Sequence, residues 1–322
     1  MIVAVYVALT LLQSAAVHVS ASGGCSSHHL FNGTWDNLGP LKTGKKEFPA
    51  EQLTARFHSS MEQSCSLSDF LKAAKDPIVC GHLTEKNEFD MILRLSNTRE
   101  KTWLSIGTSI DHRNLRIGCP VFGQERKVLL HRTKNESILV AHCKIPVLDV
   151  TLAYVFGGAL SLASLEEKSA LYEAIHEALG LLNLPKVGLI TLSGIEWDLK
   201  ENKNVNISEY EQSAESNIKL ISRRWPSTPM SLRTHYYSVD NKGIPLASIA
   251  RIEELNEVFH NVAQKSHTAA NRNKIFVSDM RNLMRFNGTY ASGWTDGLHP
   301  SGWVTLQYMN LVLHQMNDVL IV

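Results

Sequence analysis

An excess of charge of either sign is missing from this chain. Its 32 Lys and Arg face 31 Asp and Glu over 322 residues, and no long basic block occurs. Such a balance excludes electrostatic capture of nucleic acid or of an anionic membrane as the basis of function. Cysteine is scarce, with five in all and no Cys-x-x-Cys pair, which argues against a zinc site or a redox motif. Internal repeats and low-complexity linkers are also lacking, and beyond residue 19 no apolar stretch approaches a membrane span. What remains is ordinary globular material: 44% hydrophobic and 20% charged residues, enough to build one large α/β domain or two small ones.

The run Met1–Val19 carries no charged residue and leads into Ser20-Ala21-Ser22-Gly23-Gly24. It reads as a signal peptide over residues 1–21, with an uncleaved Golgi-type signal anchor as the alternative. Sequons at Asn32, Asn135, Asn206 and Asn287 agree with lumenal exposure and are expected glycosylation sites. In such a compartment the cysteines are disulfide partners. Cys65 with Cys80, and Cys119 with Cys143 across a predicted hairpin, are the expected pairs; Cys25 is left over or displaces one of them. Secretion, or residence in the Golgi lumen as a type II membrane protein, follows from these features. Membrane contact is expected only if the first segment stays uncleaved.

Residues 22–87 read as an irregular Cys-containing segment packed on the main domain, with weak helical pieces near 50–61 and 67–74. Residues 88–322 form the principal domain. Strand signals fall at 89–95, 102–106, 151–156, 187–192 and 274–277, and a hairpin at 127–131 and 138–143. Ser164-x-x-Glu167 has the form of a capping box, opening a helix that Pro185 stops; further helices are expected over 211–224, 248–265 and 302–322. Single buried-type strands alternating with amphipathic helices predict an α/β three-layer sandwich around a mostly parallel sheet, flavodoxin-like in kind. In such sheets chemistry gathers at the carboxyl ends of strands. Three of the best strands end there at Gly107, Gly157-Gly158 and Gly194.

Two short segments carry candidate chemistry. In Gly107-Thr108-Ser109 a strand feeds a glycine and then a serine that starts a helix, so one residue can offer a nucleophilic hydroxyl and a backbone N–H. In Asp296-Gly297-Leu298-His299 a carboxylate three residues before an imidazole can accept one ring N–H, leaving the other nitrogen to take a proton from a serine. Taken singly, each has a bland counterpart: a helix-capping hydroxyl, and a turn with a surface histidine. His28-His29 reads as an exposed polar pair with no third ligand, and neither a metal nor a cofactor is called for.

Taken together, the two segments give a chain-wide pattern that resembles the GDSL/SGNH esterase superfamily. The resemblance is to its PC-esterase, trichome-birefringence-like branch, and it spans about residues 25–322. Leu30-Phe31-Asn32-Gly33-Thr34-Trp35 beside Cys25 is similar to the branch's first block, and Gly107-Thr108-Ser109 stands where the family has Gly-Asp-Ser, with Arg113-Asn114 near its Arg-Asn. Ser193-Gly194-Ile195-Glu196-Trp197-Asp198 is similar to its central block, and Asp296-x-x-His299 to its terminal motif.

The resemblance implies an SGNH-hydrolase-like fold. It also implies Ser109 as nucleophile, His299 as general base, Asp296 as its orienting partner, and an oxyanion hole from Ser109 and Gly157 or Gly158. No Asn stands in the central block, so Ser193 or the Trp197 indole would have to supply the third donor. Arg113, Arg233 and Trp294 are the expected substrate-binding residues. The activity implied is that of an esterase or O-acyltransferase on acylated glycans or small esters, O-acetyl groups first among them, with a catalytically silent glycan-binding or structural protein of the same fold as the alternative.

Overall fold

Buried apolar runs closed by glycines set the frame of the chain. The computed structural model describes residues 33–40, 53–59, 79–80, 100–121, 124–133, 137–146, 148–161, 163–201, 204–238, 246–268, 275–284, 298–300 and 302–319. In the N-terminal part, strands β1 (Gly33–Pro40), β2 (Leu53–Ser59) and β3 (Val79–Cys80) pair antiparallel in that order. Strand β2 stands where a weak helical piece is expected near 50–61, which corrects that expectation. Leu53, Ala55 and Phe57 alternate with Thr54, Arg56 and His58, a period of two that suits a strand, and Phe57 lies opposite Trp35. The signal segment 1–21, Cys25, Cys65, the expected helix at 67–74 and the expected strand at 89–95 lie outside the described residues.

The second sheet has seven strands: β4 (Lys101–Gly107), β5 (Lys127–Arg132), β6 (Ser137–Ile145), β7 (Val150–Phe156), β8 (Val187–Leu192), β9 (Met230–Arg233) and β10 (Ile275–Ser278). Their order is β10-β9-β8-β4-β7-β6-β5. The five strands from β10 to β7 are parallel, and the β5–β6 hairpin joins antiparallel at one edge. From β4 the chain crosses to the edge strand β5, works inward through β6 to β7 beside β4, and then places β8 on the other side of β4. The carboxyl end of β4 is thus a topological switch point, where open α/β sheets form their crevices.

Helices α1 (Ser109–Val121), α2 (Leu165–Leu181), α3 (Ile195–Glu201), α4 (Ile207–Arg224), α5 (Ile249–Thr268), α6 (Met280–Met284) and α7 (Gly302–Val319) complete the described part. Alternation along β4 sorts the two faces. Leu104 and Ile106 belong to one core with Ile175 of α2, Ile218 of α4 and Phe259 of α5. Trp103 faces the other layer, its ring 6.2 Å from that of Tyr308 in α7. The three-layer α/β architecture read from the sequence is the one observed. At Ser164 the capping box is complete, with Ser164 Oγ accepting from Glu167 N and Glu167 Oε2 from Ser164 N. No described helix is long and apolar enough to cross a membrane.

Cys119 near the end of α1 and Cys143 of β6 are joined by a disulfide, 24 residues apart in sequence. Both are buried. Closing a loop of that length restrains the unfolded chain by about 3 kcal/mol in the chain-entropy picture. Removing the bond with the pair Cys119→Ala and Cys143→Ala should lower unfolding stability by about that amount, read as a lower urea midpoint. An unchanged midpoint would mean that this crosslink does not stabilise the domain.

Candidate active site

Ser109 opens α1 directly beyond the carboxyl end of β4, and its side chain is exposed. The imidazole of His299, from the segment just before α7, reaches it: Nε2 lies 2.8 Å from Ser109 Oγ, across 190 residues of sequence. Leu298, the residue before, is tied down by the buried Tyr236, whose hydroxyl donates to the Leu298 carbonyl at 2.5 Å. The segment that bears the imidazole is therefore anchored to the chain leaving β9. Asp296 and Trp294 lie outside the described residues.

Beneath Ser109 is a cluster of buried charge. Arg233, at the end of β9, forms a two-pronged ion pair with Asp111 of α1, Nε to Oδ1 at 2.8 Å and Nη2 to Oδ2 at 2.9 Å, and also donates to Glu196 Oε1 at 2.6 Å. The backbone N–H of Thr108 donates to Asp111 Oδ2 at 2.9 Å, and the Thr108 hydroxyl donates to Glu196 Oε1. Ser193 Oγ donates to the same Asp111 oxygen at 2.5 Å. Three strand ends and two helix starts are thus pinned together through Thr108 and Asp111, on either side of Ser109. Gly107 is required here, because a Cβ would run into the Asp111 carboxylate and the Ser193 hydroxyl.

The electrostatics follow from this packing. Burial alone would push the Glu196 carboxyl up, but Arg233, His235 and the Thr108 hydroxyl outweigh it and hold the group at about 2. Burial pushes the His235 imidazole down to about 4, against the pull of Glu196, whose Oε2 lies 3.7 Å from His235 Nδ1. At neutral pH Glu196 is therefore a carboxylate and His235 a neutral imidazole.

The loop after β7 supplies a second set of backbone groups. Lys168 is buried and donates through Nζ to the carbonyls of Gly157 at 2.9 Å and Ala159 at 2.8 Å. Asp198 of α3 accepts from the backbone N–H groups of Leu160 at 3.0 Å and Ser161 at 2.9 Å. A peptide unit is planar with its C=O and N–H opposed. Because Lys168 draws the Gly157 carbonyl inward, the N–H of Gly158 in the same peptide is turned the opposite way. Gly158 has φ of 65°, a conformation that glycine adopts without penalty.

These contacts correct three expectations. Gly157 is not an oxyanion donor, because its N–H closes the sheet by donating to the Gly107 carbonyl at 2.7 Å. Ser193 is not one either, since its hydroxyl is committed to Asp111 and its N–H to the Ile106 carbonyl at 3.1 Å. Arg233 does not line a substrate cleft; it is 1% exposed and spent on its two carboxylates. Two donors remain. One is the N–H of Ser109 in the first turn of α1, where helix geometry leaves such groups without an intrahelical acceptor. The other is the N–H of Gly158.

Trp197 is half-buried, its ring edge-on to Phe156 at 5.2 Å with Lys200 Nζ 4.2 Å over its face. Arg113 is half-buried in α1. Asn206 is exposed as expected and is also the N-cap of α4, accepting from Ser208 N at 2.8 Å; Asn32, Asn135 and Asn287 lie outside the described residues.

Sequence reasoning passed over Asp111, Glu196 as a structural partner, and Lys168. A readable signal existed for Asp111: Thr108-x-x-Asp111 has capping-box spacing, with a carboxylate placed to accept from the backbone N–H three residues earlier. Nothing comparable marks Lys168, whose partners are backbone carbonyls.

No protein-family model and no curated protein matches the chain. Among solved structures it is similar to a carbohydrate esterase family 3 protein from Talaromyces cellulolyticus, with 12% identity over 68% of this chain and 98% of that one and a TM-score of 0.41. It is also similar to a lipase/acylhydrolase from Enterococcus faecalis, with 15% identity, 68% and 96% coverage, and a TM-score of 0.40. A variant of an acetyl-xylooligosaccharide esterase from Geobacillus gives 14% identity, 68% and 95% coverage, and a TM-score of 0.41.

Proposed function

We propose that the chain is a serine-dependent ester hydrolase or O-acyltransferase. The observation that carries this reading is the 2.8 Å approach of His299 Nε2 to Ser109 Oγ at the switch point of the sheet. In this reading His299 takes the Ser109 proton as Oγ attacks the ester carbonyl. The carbonyl oxygen becomes an oxyanion held by the N–H groups of Ser109 and Gly158, aided by the positive end of α1. Collapse of the tetrahedral intermediate expels the alcohol, which receives the proton from His299 and leaves an acyl-serine. Water or a sugar hydroxyl then attacks the acyl carbon and gives its proton to His299; the C–Oγ bond breaks, His299 returns the proton to Ser109 Oγ, and the acid or the new ester leaves. Asp296, three residues before His299 in sequence, is the proposed orienting partner.

An acylated glycan is the substrate class that the resemblance implies, with O-acetyl groups first among the esters to test. The Cys119–Cys143 disulfide suits an oxidising compartment and supports a secreted or lumenal location. A fluorophosphonate probe is expected to label the wild-type chain and to leave Ser109→Ala unlabelled, read by gel fluorescence on folded protein. The second reading, a catalytically silent protein of this fold, draws support from the commitment of Ser193 and of the Gly157 N–H to structural bonds. A folded wild type that resists the probe would favour it.

A further inference from the structure

Four large apolar side chains stand about half exposed on one part of the sheet: Val128 (50%), Leu130 (52%), Leu139 (48%) and Phe156 (47%). Strand register puts them together. Leu130 is the partner of Leu139, and Val128 that of Ala141. Ala141 is in turn the partner of Tyr154 and Val140 that of Val155, where the ladder ends; one step further along the same register Leu139 falls opposite Phe156. All share the face on which His112 of α1 stacks on Tyr154, 4.8 Å between ring centres. Under α1 that face is closed, and Ala141 and Tyr154 are buried. Towards β5, Val128, Leu130 and Leu139 leave it about half exposed. Large apolar groups gathered on an open surface cost solvation and mark places where something apolar binds.

The position of the row says what binds. Phe156 is the register partner of Gly107, two residues before Ser109, and its ring carbon Cε1 is 3.8 Å from where a Cβ on Gly158 would stand. The row therefore begins against the proposed oxyanion donor and runs Phe156, Leu139, Leu130 away from β4, across two strand spacings of about 4.8 Å each.

We infer that this stripe seats the apolar acyl chain of the ester, so that the acyl group is longer than the acetyl that the resemblance implies, about six to eight carbons for a row of that length. The inference rests on the reading of Ser109 as the nucleophile. With the acyl carbonyl at Ser109 and its oxygen at Gly158, the chain leaves over the Phe156 ring and lies along Leu139 and Leu130. An acetyl group would stop short of the stripe.

The test compares p-nitrophenyl acetate, butyrate, hexanoate and octanoate. In the wild type kcat/KM should rise by about two-fold per methylene for a half-covered chain, giving an octanoate-to-acetate ratio of about 60 over the six added methylenes. The exposed double variant Leu130→Ser and Leu139→Ser should bring that ratio below about 5, consistent with loss of most of the apolar contact. Acetate turnover with a flat wild-type series overturns the stripe and leaves the serine mechanism standing. If no ester is turned over, the mechanism fails instead, and binding decides the stripe. Calorimetry of octyl β-glucoside below its micelle concentration with Ser109→Ala should show heat that the added double variant removes; no heat overturns the inference. Dimerisation, or adhesion to phosphatidylcholine vesicles, that the double variant abolishes would assign the stripe to a second copy or a lipid surface and likewise overturn it.

Discussion

Alanine at Ser109 is expected to lower kcat towards an ester substrate by about 10⁴–10⁶, and alanine at His299 by a similar amount. The double variant should be no worse than either single one, because the two groups act as one unit: a hydroxyl without its base attacks poorly, and a base without the hydroxyl has no proton to take. Steady-state kinetics of the three variants checks this. Losses that multiply would mean that the imidazole and the hydroxyl act in separate steps, and the contact across 2.8 Å would then have another purpose. Residual rate in the double variant measures what the N–H groups of Ser109 and Gly158 contribute alone.

The second large effect is on folding. Arg233→Met should destabilise the domain by about 3–5 kcal/mol, since it strands Asp111 and Glu196 as buried carboxylates without a counter-charge. Neutralising those partners with Asp111→Asn and Glu196→Gln in the same chain should recover part of the loss, measured by urea unfolding. Acid should act on the wild type in the same sense. The folded pKa of His235, about 4, lies below the ordinary 6.5, so its contribution is complete above 6.5 and fades as pH falls through that value towards 4. Glu196 is held at about 2, so its contribution is complete above the usual 4.5 and fades on further acidification. The urea midpoint is therefore expected to drop between pH 7 and pH 4. A midpoint that is flat over that range, together with a stable Arg233→Met, would show that the cluster does not stabilise the fold.

The long strands and the capped helix were legible because each is written locally. Strand β8 is six consecutive buried residues closed by Ser193-Gly194, and α2 announces itself through Ser164 and Glu167. Strand β9 was not legible: it has only four residues, and its Arg233 has the look of a surface charge. Its partners lie 122 and 37 residues away, so its burial follows from topology that no window of sequence contains. The same reason explains Gly157 and Ser193. Which donor in a glycine-rich loop is free depends on which neighbouring strand has already used it.

The proposed nucleophile and its imidazole also have an order in time. With 190 residues between them, a ribosome working at roughly 5–20 residues per second completes the Ser109 region some 10–40 s before the His299 region exists. Over that interval the hydroxyl has no base and is inert. On the proposed mechanism, ester cleavage therefore has to wait until the segment bearing His299 has docked.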